Sequence, residues 1–382
     1  MSSAPVLALT RELVRRASVT PDDAGCQQII ARRLLQCGFD ARWYFCGAVS
    51  NIVLTRGQGS PSLWFLGHTD VVPSGPEDLW SHSPFDPVIR DGMLYGRGVA
   101  DMKGAVAAMV VALETCARHD HGPQAGQLGL VLTSDEEGLA VDGVVRVAEQ
   151  LRAAGERPDY CLVGEPSSLK RLGDSVRIGR RGSIHARLRV RGVQGHTAFP
   201  QSLDNPVHRL APMLTELVAT VWDQGNADFP PTSAQVASIQ AGTGARNVTP
   251  ADALVQINLR NAPESPAAAL RERVESMLQR HAISDYELDW QVAGEPFYSP
   301  PGKLRAATVA ACREILGCEP EPNTGGGTSD GRFFAPLGSE VVELGLLHSS
   351  IHQVDEATPV ADLDRLSSAY YDIIRRICGC AA

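Results

Sequence analysis

The 382-residue sequence predicts an α/β fold: a mostly parallel-sheet domain with an inserted α+β domain of ferredoxin-like order. Three features predict it. Through residues 1–180, short apolar runs of strand type alternate with segments of helical periodicity, the pattern of strands covered by helices on both faces. From Arg181 to residue 294 the pattern changes to period two, as in half-exposed antiparallel strands. After Pro300-Pro301 the buried type returns, so residues 295–382 complete the first domain.

Element by element, Pro5 to Ser18 and Ala24 to Gln36 carry apolar residues at helical spacing, with Gly38 placed to end the second helix. Ser62 to Gly67 (SLWFLG) is a short strand-type run. Ala105 to Ala117 is apolar on most faces and reads as a buried helix. Leu128 to Thr133 reads as a strand, Asp142 to Ala154 as a helix and Tyr160 to Gly164 as a third strand. In the insertion, Ser183 to Arg191 alternates strictly, then come a helix (Asn205 to Thr220) and strands (Gln235 to Ile239, Ala253 to Leu259). A helix (Ser265 to His281) and a strand (Tyr286 to Val292) complete the order βαββαβ. The tail adds a helix (Leu304 to Leu316), a strand (Glu340 to Leu344) and a helix (Ala361 to Ile377).

Composition narrows the function. Net charge is −9, spread along the chain, and no basic run offers a nucleic-acid footprint. The longest uncharged apolar run, Ala105 to Leu113, is too short for a bilayer. Arg and Glu interrupt the N-terminal stretch where a signal peptide needs apolar residues, so a cytoplasmic protein is expected. Nine cysteines, an odd number scattered through apolar segments (Cys26, Cys116, Cys161, Cys312), fit reduced core thiols. Cys378-Gly379-Cys380 reads as a frayed tail.

Ligands of open α/β sheets bind beyond the carboxyl ends of the strands. Immediately after the predicted strands stand His68-Thr69-Asp70, then Asp135-Glu136-Glu137, then Glu165. Asp101 opens the buried helix, and His352 lies in the loop beyond the late strand. Asp101, Glu136, Glu137 and Glu165 brought together carry a charge near −4, and without compensation their pKa values climb until they neutralise. Two divalent cations remove the problem, and mixed imidazole and carboxylate donors suit zinc. Asp70, two residues after His68, is placed to hold the imidazole tautomer. Of the adjacent acids, one can ligate metal while the other acts as general base.

Other features read as structure. Asp22, Asp23, Asp86, Asp91 and Asp142 fit caps or solvated loops, and Gly96-Arg97-Gly98 lacks the third glycine of a dinucleotide loop. His348 and His352 stand four apart without the glutamate of a helical zinc motif. His119-Asp120-His121 reads as surface, and the sequon Asn247-Val248-Thr249 as idle. One rival is a serine hydrolase: Gly327-Thr328-Ser329-Asp330-Gly331 fits G-x-S-x-G. That elbow needs a strand running into Ser329, and CEPEPNTGGG does not read as one. The loop is better suited to present backbone N–H groups to a substrate carboxylate.

The blocks GHTDVVP (67–73), LYGRGVADMKG (94–104), TSDEEG (133–138), VGEPSS (163–168), GRRGS (179–183), GGGTSDGRF (325–333) and SSIHQVDE (349–356) resemble the M20 family of dinuclear zinc aminoacylases and peptidases. The likeness runs nearly end to end, including FPPTS (229–233) and GTG (242–244). It implies two zinc ions per subunit, with cobalt able to substitute, and hydrolysis of a small N-acyl diamino acid. Asp101 would bridge the metals, His68 and Glu165 completing one site and Glu137 and His352 the other. Glu136 would be the general base and Asp70 would orient His68. The insertion would be the family's dimerisation lid, its His196 reaching the active site of the second subunit of a homodimer to stabilise the oxyanion. Asn247 would help bind substrate, and Arg180, Ser183, Arg260, Gly327 and Thr328 match positions that hold its acyl and carboxylate groups. The chain departs from the family pattern at Arg177, Phe199, Arg246 and His348, substrate-side positions that spare the metal set. A sister enzyme removing another acyl group, or cutting a short peptide, fits the same blocks. A binding module without catalysis has no need of Glu136.

Overall fold

The structure, a computed structural model, describes residues 5–119 and 126–379. The chain forms two compact units, one of Met1–Gly179, Ser299–Asn323 and Ser329–Ala382, the other of Arg180–Tyr298 and Thr324–Thr328.

In chain order the first unit contains α1 (Pro5–Val14), α2 (Cys26–Leu35), β1 (Asp40–Cys46), β2 (Val49–Gln58), β3 (Ser62–His68), β4 (Val88–Arg90) and β5 (Met93–Tyr95). Next come α3 (Lys103–His119), β6 (Gly126–Thr133), α4 (Val144–Ala153), β7 (Tyr160–Val163) and β8 (Ser175–Arg177). A two-residue strand, β9 (Gly179–Arg180), precedes the inserted elements β10 (Gly182–Arg191), α5 (Pro206–Ala219), β11 (Ser233–Ala241), β12 (Asp252–Asn261), α6 (Ala267–Arg280), β13 (Tyr286–Gly294) and β14 (Phe297–Tyr298). The first unit resumes with α7 (Lys303–Glu314), β15 (Glu321–Asn323), α8 (Gly331–Phe334), β16 (Glu340–Glu343), β17 (Ala357–Pro359) and α9 (Val360–Cys378).

The large sheet has the order β1-β2-β6-β3-β7-β16-β8-β15. Its centre, β6, β3, β7 and β16, is parallel, so the carboxyl ends of these strands share one edge. The sequence order explains this arrangement, because each parallel step needs a crossover and α3, α4 and the long later segment supply them. Every residue of β3 is buried, as expected of a strand with helices on both faces. The hairpin β1–β2 adds two antiparallel strands at one side.

Helix α3 and the residue before it pack over glycines at the ends of the strands. A Cβ at Gly67 would stand 2.6 Å from Met102 Cε, and one at Gly164 would stand 2.3 Å from Met109 Cε. Glycine at the ends of β3 and β7 thus lets the apolar helix seat against the strands that carry the rim. Helix α9 closes the same face through Leu363, Leu366, Tyr370, Ile373 and Ile374, all buried and spaced at helical intervals. Its Tyr370 hydroxyl donates to the Leu344 carbonyl at 2.6 Å, and its ring meets Phe65 edge-on at 5.4 Å.

The second unit is a four-stranded antiparallel sheet, β11-β12-β10-β13, with α5 and α6 packed on it around Leu188, Leu210, Met213 and Val274. This is the βαββαβ order the periodicity predicts. Asn205 caps α5 by accepting from the Val207 N–H at 3.0 Å, and Pro206 occupies the first turn.

Cys26, Cys116, Cys161 and Cys312 are all buried, in line with the sequence reading of core thiols. The frayed tail needs correction: Cys378 is the last residue of α9 and is 1% exposed, packed in the main hydrophobic core. Cys380, Asp120, His121 and the side chain of His119 lie outside the described residues. No helix among the described residues is long and apolar enough to cross a membrane.

Candidate metal centre

The parallel strands deliver donors to one edge. His68 is the last residue of β3, Asp135-Glu136-Glu137 follow β6, and Glu165 follows β7. Asp101 sits just before α3, and His352 lies in the loop between β16 and β17. The imidazole of His68 is 1% exposed and places Nε2 at 3.2 Å from Asp101 Oδ1 and 3.7 Å from Glu165 Oε1. His352 places Nε2 at 3.3 Å from Asp101 Oδ2 and 2.9 Å from Glu137 Oε1. Two trios therefore meet at a single aspartate, one oxygen to each. Glu136 joins the first, because a carboxylate oxygen of Glu136, one of Glu165 and a His68 ring nitrogen lie within 4.8 Å of one another.

His352 adopts φ 61°, the left-handed region that non-glycine residues avoid. Such strain persists where the surroundings enforce it, commonly at functional sites. Asp70 is fully buried. His68 Nδ1 lies 2.9 Å from the Asp70 backbone carbonyl and 3.6 Å from its Oδ1, so the carbonyl is the nearer partner of the ring. The Asp70 carboxylate instead accepts from the N–H groups of Glu136 (3.4 Å) and Glu137 (3.1 Å), which ties the two acids to β3.

Electrostatics reveals what the cluster lacks. Burial works against charge on His68, but its hydrogen bond to Asp101 and the charges of Glu165, Asp70 and Glu136 raise its pKa well above the usual imidazole value. Asp101 and Glu137 push the His352 imidazolium up to about 10. Burial, reinforced by the surrounding acids, raises the Glu136 and Glu165 carboxyls well above their ordinary range. Asp101 is held low: burial opposes its charge, but His352 and His68 outweigh it. The group is short of positive charge and rich in oxygen and imidazole donors, the chemistry that a pair of divalent cations fits.

Several neighbouring residues play parts that their place in the sequence does not show. Asp135, between the strand and the two glutamates, accepts from the Val141 and Asp142 N–H groups at 3.0 Å each and fixes the loop. Asp23 is not merely a cap: it accepts from Gln27 N–H and from the Thr69 hydroxyl at 2.6 Å, beside His68. Asp330 is 2% exposed, neither carboxylate oxygen has a hydrogen-bond partner, and burial raises its carboxyl to about 6 against the pull of Arg332. His348 is half-buried, its N–H donating to the Ser168 carbonyl at 3.1 Å.

The serine reading finds no support. Ser329 is fully buried and its hydroxyl donates to the buried Glu343 carboxylate, with a carboxylate rather than an imidazole as partner. CEPEPNTGGG contains a short strand, Glu321–Asn323, paired in parallel with β8. That strand ends well before the serine and does not run into it. Ser329→Ala is expected to lower the melting temperature, since Glu343 loses a donor worth about 1–3 kcal/mol. A moderate loss of turnover is expected with it. A variant with no residual rate would restore the nucleophile.

The other predicted residues belong to the second unit. Arg180 is 6% exposed and donates to the Gly325 carbonyl at 3.1 Å and the Gly327 carbonyl at 3.4 Å. Gly326 between them has φ 92°, and a Cβ there would stand 2.5 Å from the Arg180 guanidinium, so only glycine allows the clasp. Thr328 is half-buried beside them. Ser183 faces Arg260 across β10 and β12, and Asn258 joins them, donating to Ser183 Oγ at 3.2 Å and accepting from Arg260 Nε at 3.0 Å. Burial and the nearby Arg181 charge hold the Arg260 guanidinium below its usual basicity, a spot that welcomes an anion. His196 and Asn247 are exposed side by side, His196 Nε2 lying 3.1 Å from Asn247 Nδ2.

Residues 64–376 match the family described as Peptidase family M20/M25/M40, so the chain belongs to that family of hydrolases. It is 53% identical over 372 residues to the succinyl-diaminopimelate desuccinylase of Xanthomonas oryzae pv. oryzae, an alignment covering 97% of this chain and 98% of that one. Its fold is that of an M20 family metallo-carboxypeptidase from Sulfolobus solfataricus (TM-score 0.82, 16% identity, covering 97% and 99% of the two chains). It also matches a Bacillus subtilis protein described as a dinuclear metal-binding peptidase of the family (TM-score 0.72, 12% identity, covering 98% of each).

Proposed function

We propose that the chain hydrolyses the N-succinyl amide of N-succinyl-LL-2,6-diaminopimelate, releasing succinate and LL-2,6-diaminopimelate for lysine biosynthesis. The observation that carries this reading is Asp101 shared between two imidazole–carboxylate trios, in a chain 53% identical to a desuccinylase over nearly its full length. His68, Asp101 and Glu165 would hold one ion, and Glu137, Asp101 and His352 the other. Zinc suits the mixed donors, and cobalt can take its place. When bound, the ions supply Lewis acidity toward the scissile carbonyl and lower the pKa of water.

The chain's own residues do the rest. Glu136 takes the proton from the attacking water and delivers it to the departing amine. Asp70 keeps Glu136 and Glu137 in place through their backbone N–H groups and fixes His68 through its carbonyl. Arg180 holds the glycine loop so that Gly327 and Thr328 can receive substrate, and Ser183 with Arg260 binds a carboxylate of the succinyl-diamino acid. His196 and Asn247 act as a pair in a homodimer, each subunit offering His196 to the oxyanion that develops in the other. The setting is cytoplasmic.

The test joins metal analysis to rates on N-succinyl-diaminopimelate, N-acetylornithine and a dipeptide. Turnover of the succinyl substrate alone, by protein carrying two ions, supports the reading, and preference for either competitor reassigns the substrate. For His196→Ala, slow turnover with unchanged metal content is expected, since removing one oxyanion donor costs about 10²–10³ in kcat. Loss of metal in that variant would move His196 out of this role.

A further inference from the structure

Behind the rim, one buried acid grips the segment that carries Asp101. Glu356 is 0% exposed and follows His352 by four residues in the same loop. Its Oε1 accepts from the N–H groups of Ala100 (2.9 Å) and Asp101 (3.1 Å). Its Oε2 accepts from the N–H of Gly98 (3.0 Å) and from Arg97 Nη1 (2.8 Å). Four donors on one carboxylate use its full accepting capacity. Arg97, 2% exposed, continues the network to the Gln353 carbonyl at 3.2 Å and the Pro73 carbonyl at 3.4 Å, its guanidinium 5.1 Å from the centre of the Trp80 ring. Three stretches of chain that bear His68, Asp101 and His352 are thus tied at one point.

The cost of this arrangement points to its purpose. Burying an arginine–glutamate pair costs desolvation on the order of what their attraction returns, so stability alone is a weak reason to keep one. A carboxylate aimed at successive backbone N–H groups does something an apolar side chain does not: it sets the direction of the peptide planes, and so of the Asp101 side chain. The same loop holds Asp101 twice, through His352 at its carboxylate and through Glu356 at its backbone.

We propose that Glu356, locked by Arg97, is a positioning residue of the metal centre, orienting the Asp101 backbone so that its two oxygens face the two histidines before an ion binds. The proposal rests on the reading of Asp101 as the shared ligand. Outer partners of metal ligands contribute about 10–100-fold in metal affinity. Glu356→Gln places an NH2 group against N–H donors. We expect it to keep the wild-type circular dichroism spectrum while zinc affinity, measured by chelator competition, falls about 10–100-fold. A merely structural role would lower the melting temperature and leave zinc affinity unchanged, and that result in a folded variant overturns the proposal. Should Glu356→Gln fail to fold, Arg97→Lys, which keeps the charge and loses the fork, is read by the same rule. Hydrogen exchange on metal-free wild-type protein is an independent arm. Slow exchange of the Gly98, Ala100 and Asp101 amides is expected, and exchange as fast as in an open loop overturns the preorganisation. Wild-type protein that binds no divalent ion overturns the reading of the centre and this inference with it. Wild-type protein that binds two while folded Glu356→Gln binds them as tightly overturns this inference alone.

Discussion

Glu136→Gln is expected to retain two ions per subunit and to lose about 10²–10⁴-fold in kcat, the range that a positioned general base contributes. The side chain is nearly isosteric, so the Asp70 bond to the residue 136 N–H survives. What disappears is the lone pair that accepts the proton. The result also separates two roles that geometry places close together. Glu136 shares a 4.8 Å group with His68 and Glu165, close enough to be a ligand itself. Metal content decides between them: two ions with a dead rate identify the base, loss of an ion identifies a ligand, and an intact rate removes Glu136 from the chemistry.

Asp101→Ala is expected to remove both ions together and to reduce hydrolysis to background. Its Oδ1 faces His68 and its Oδ2 faces His352, so a single truncation takes one donor from each trio. The thermal readout is as direct as the catalytic one. A ligand at 1,000 times its Kd stabilises the folded state by about 4.1 kcal/mol. Added zinc should therefore raise the melting temperature of the wild type and leave that of Asp101→Ala nearly unmoved. Retention of one tightly bound ion in the variant would show that the two trios do not share this residue.

Much of this arrangement was legible in the amino-acid order. β3, β6 and β7 are apolar runs bounded by polar residues, so their carboxyl ends were identifiable as the rim: His68 ends β3, and Glu136, Glu137 and Glu165 follow β6 and β7. The ferredoxin-like order was legible because its outer strand faces are solvated and alternate. The β1–β2 hairpin was not anticipated, because β1 is partly exposed along its length and mixes Arg, Trp, Tyr and Phe without a clean period. Residues that act as acceptors for loop backbone were invisible for a different reason. Glu356 and Asp135 are defined by which N–H groups surround them after folding, and spacing along the chain does not encode that. Asp23 illustrates the limit: its place before α2 suggests a cap, but its bond to Thr69 depends on a contact across 46 residues.

The distribution of thiols gives the molecule a built-in clock. No cysteine occurs between residues 180 and 298, so every thiol of the described chain lies in the unit that bears the acidic cluster. Burial lifts the Cys161 thiol far above its solution value and that of Cys312 up to about 12, which leaves almost no thiolate for an alkylating reagent to attack. Cys37 and Cys46, half-buried, should react first, and the remainder only as the unit opens. Pulse alkylation followed by mass spectrometry would then time the opening of that unit alone, while the inserted sheet and its two helices stay silent.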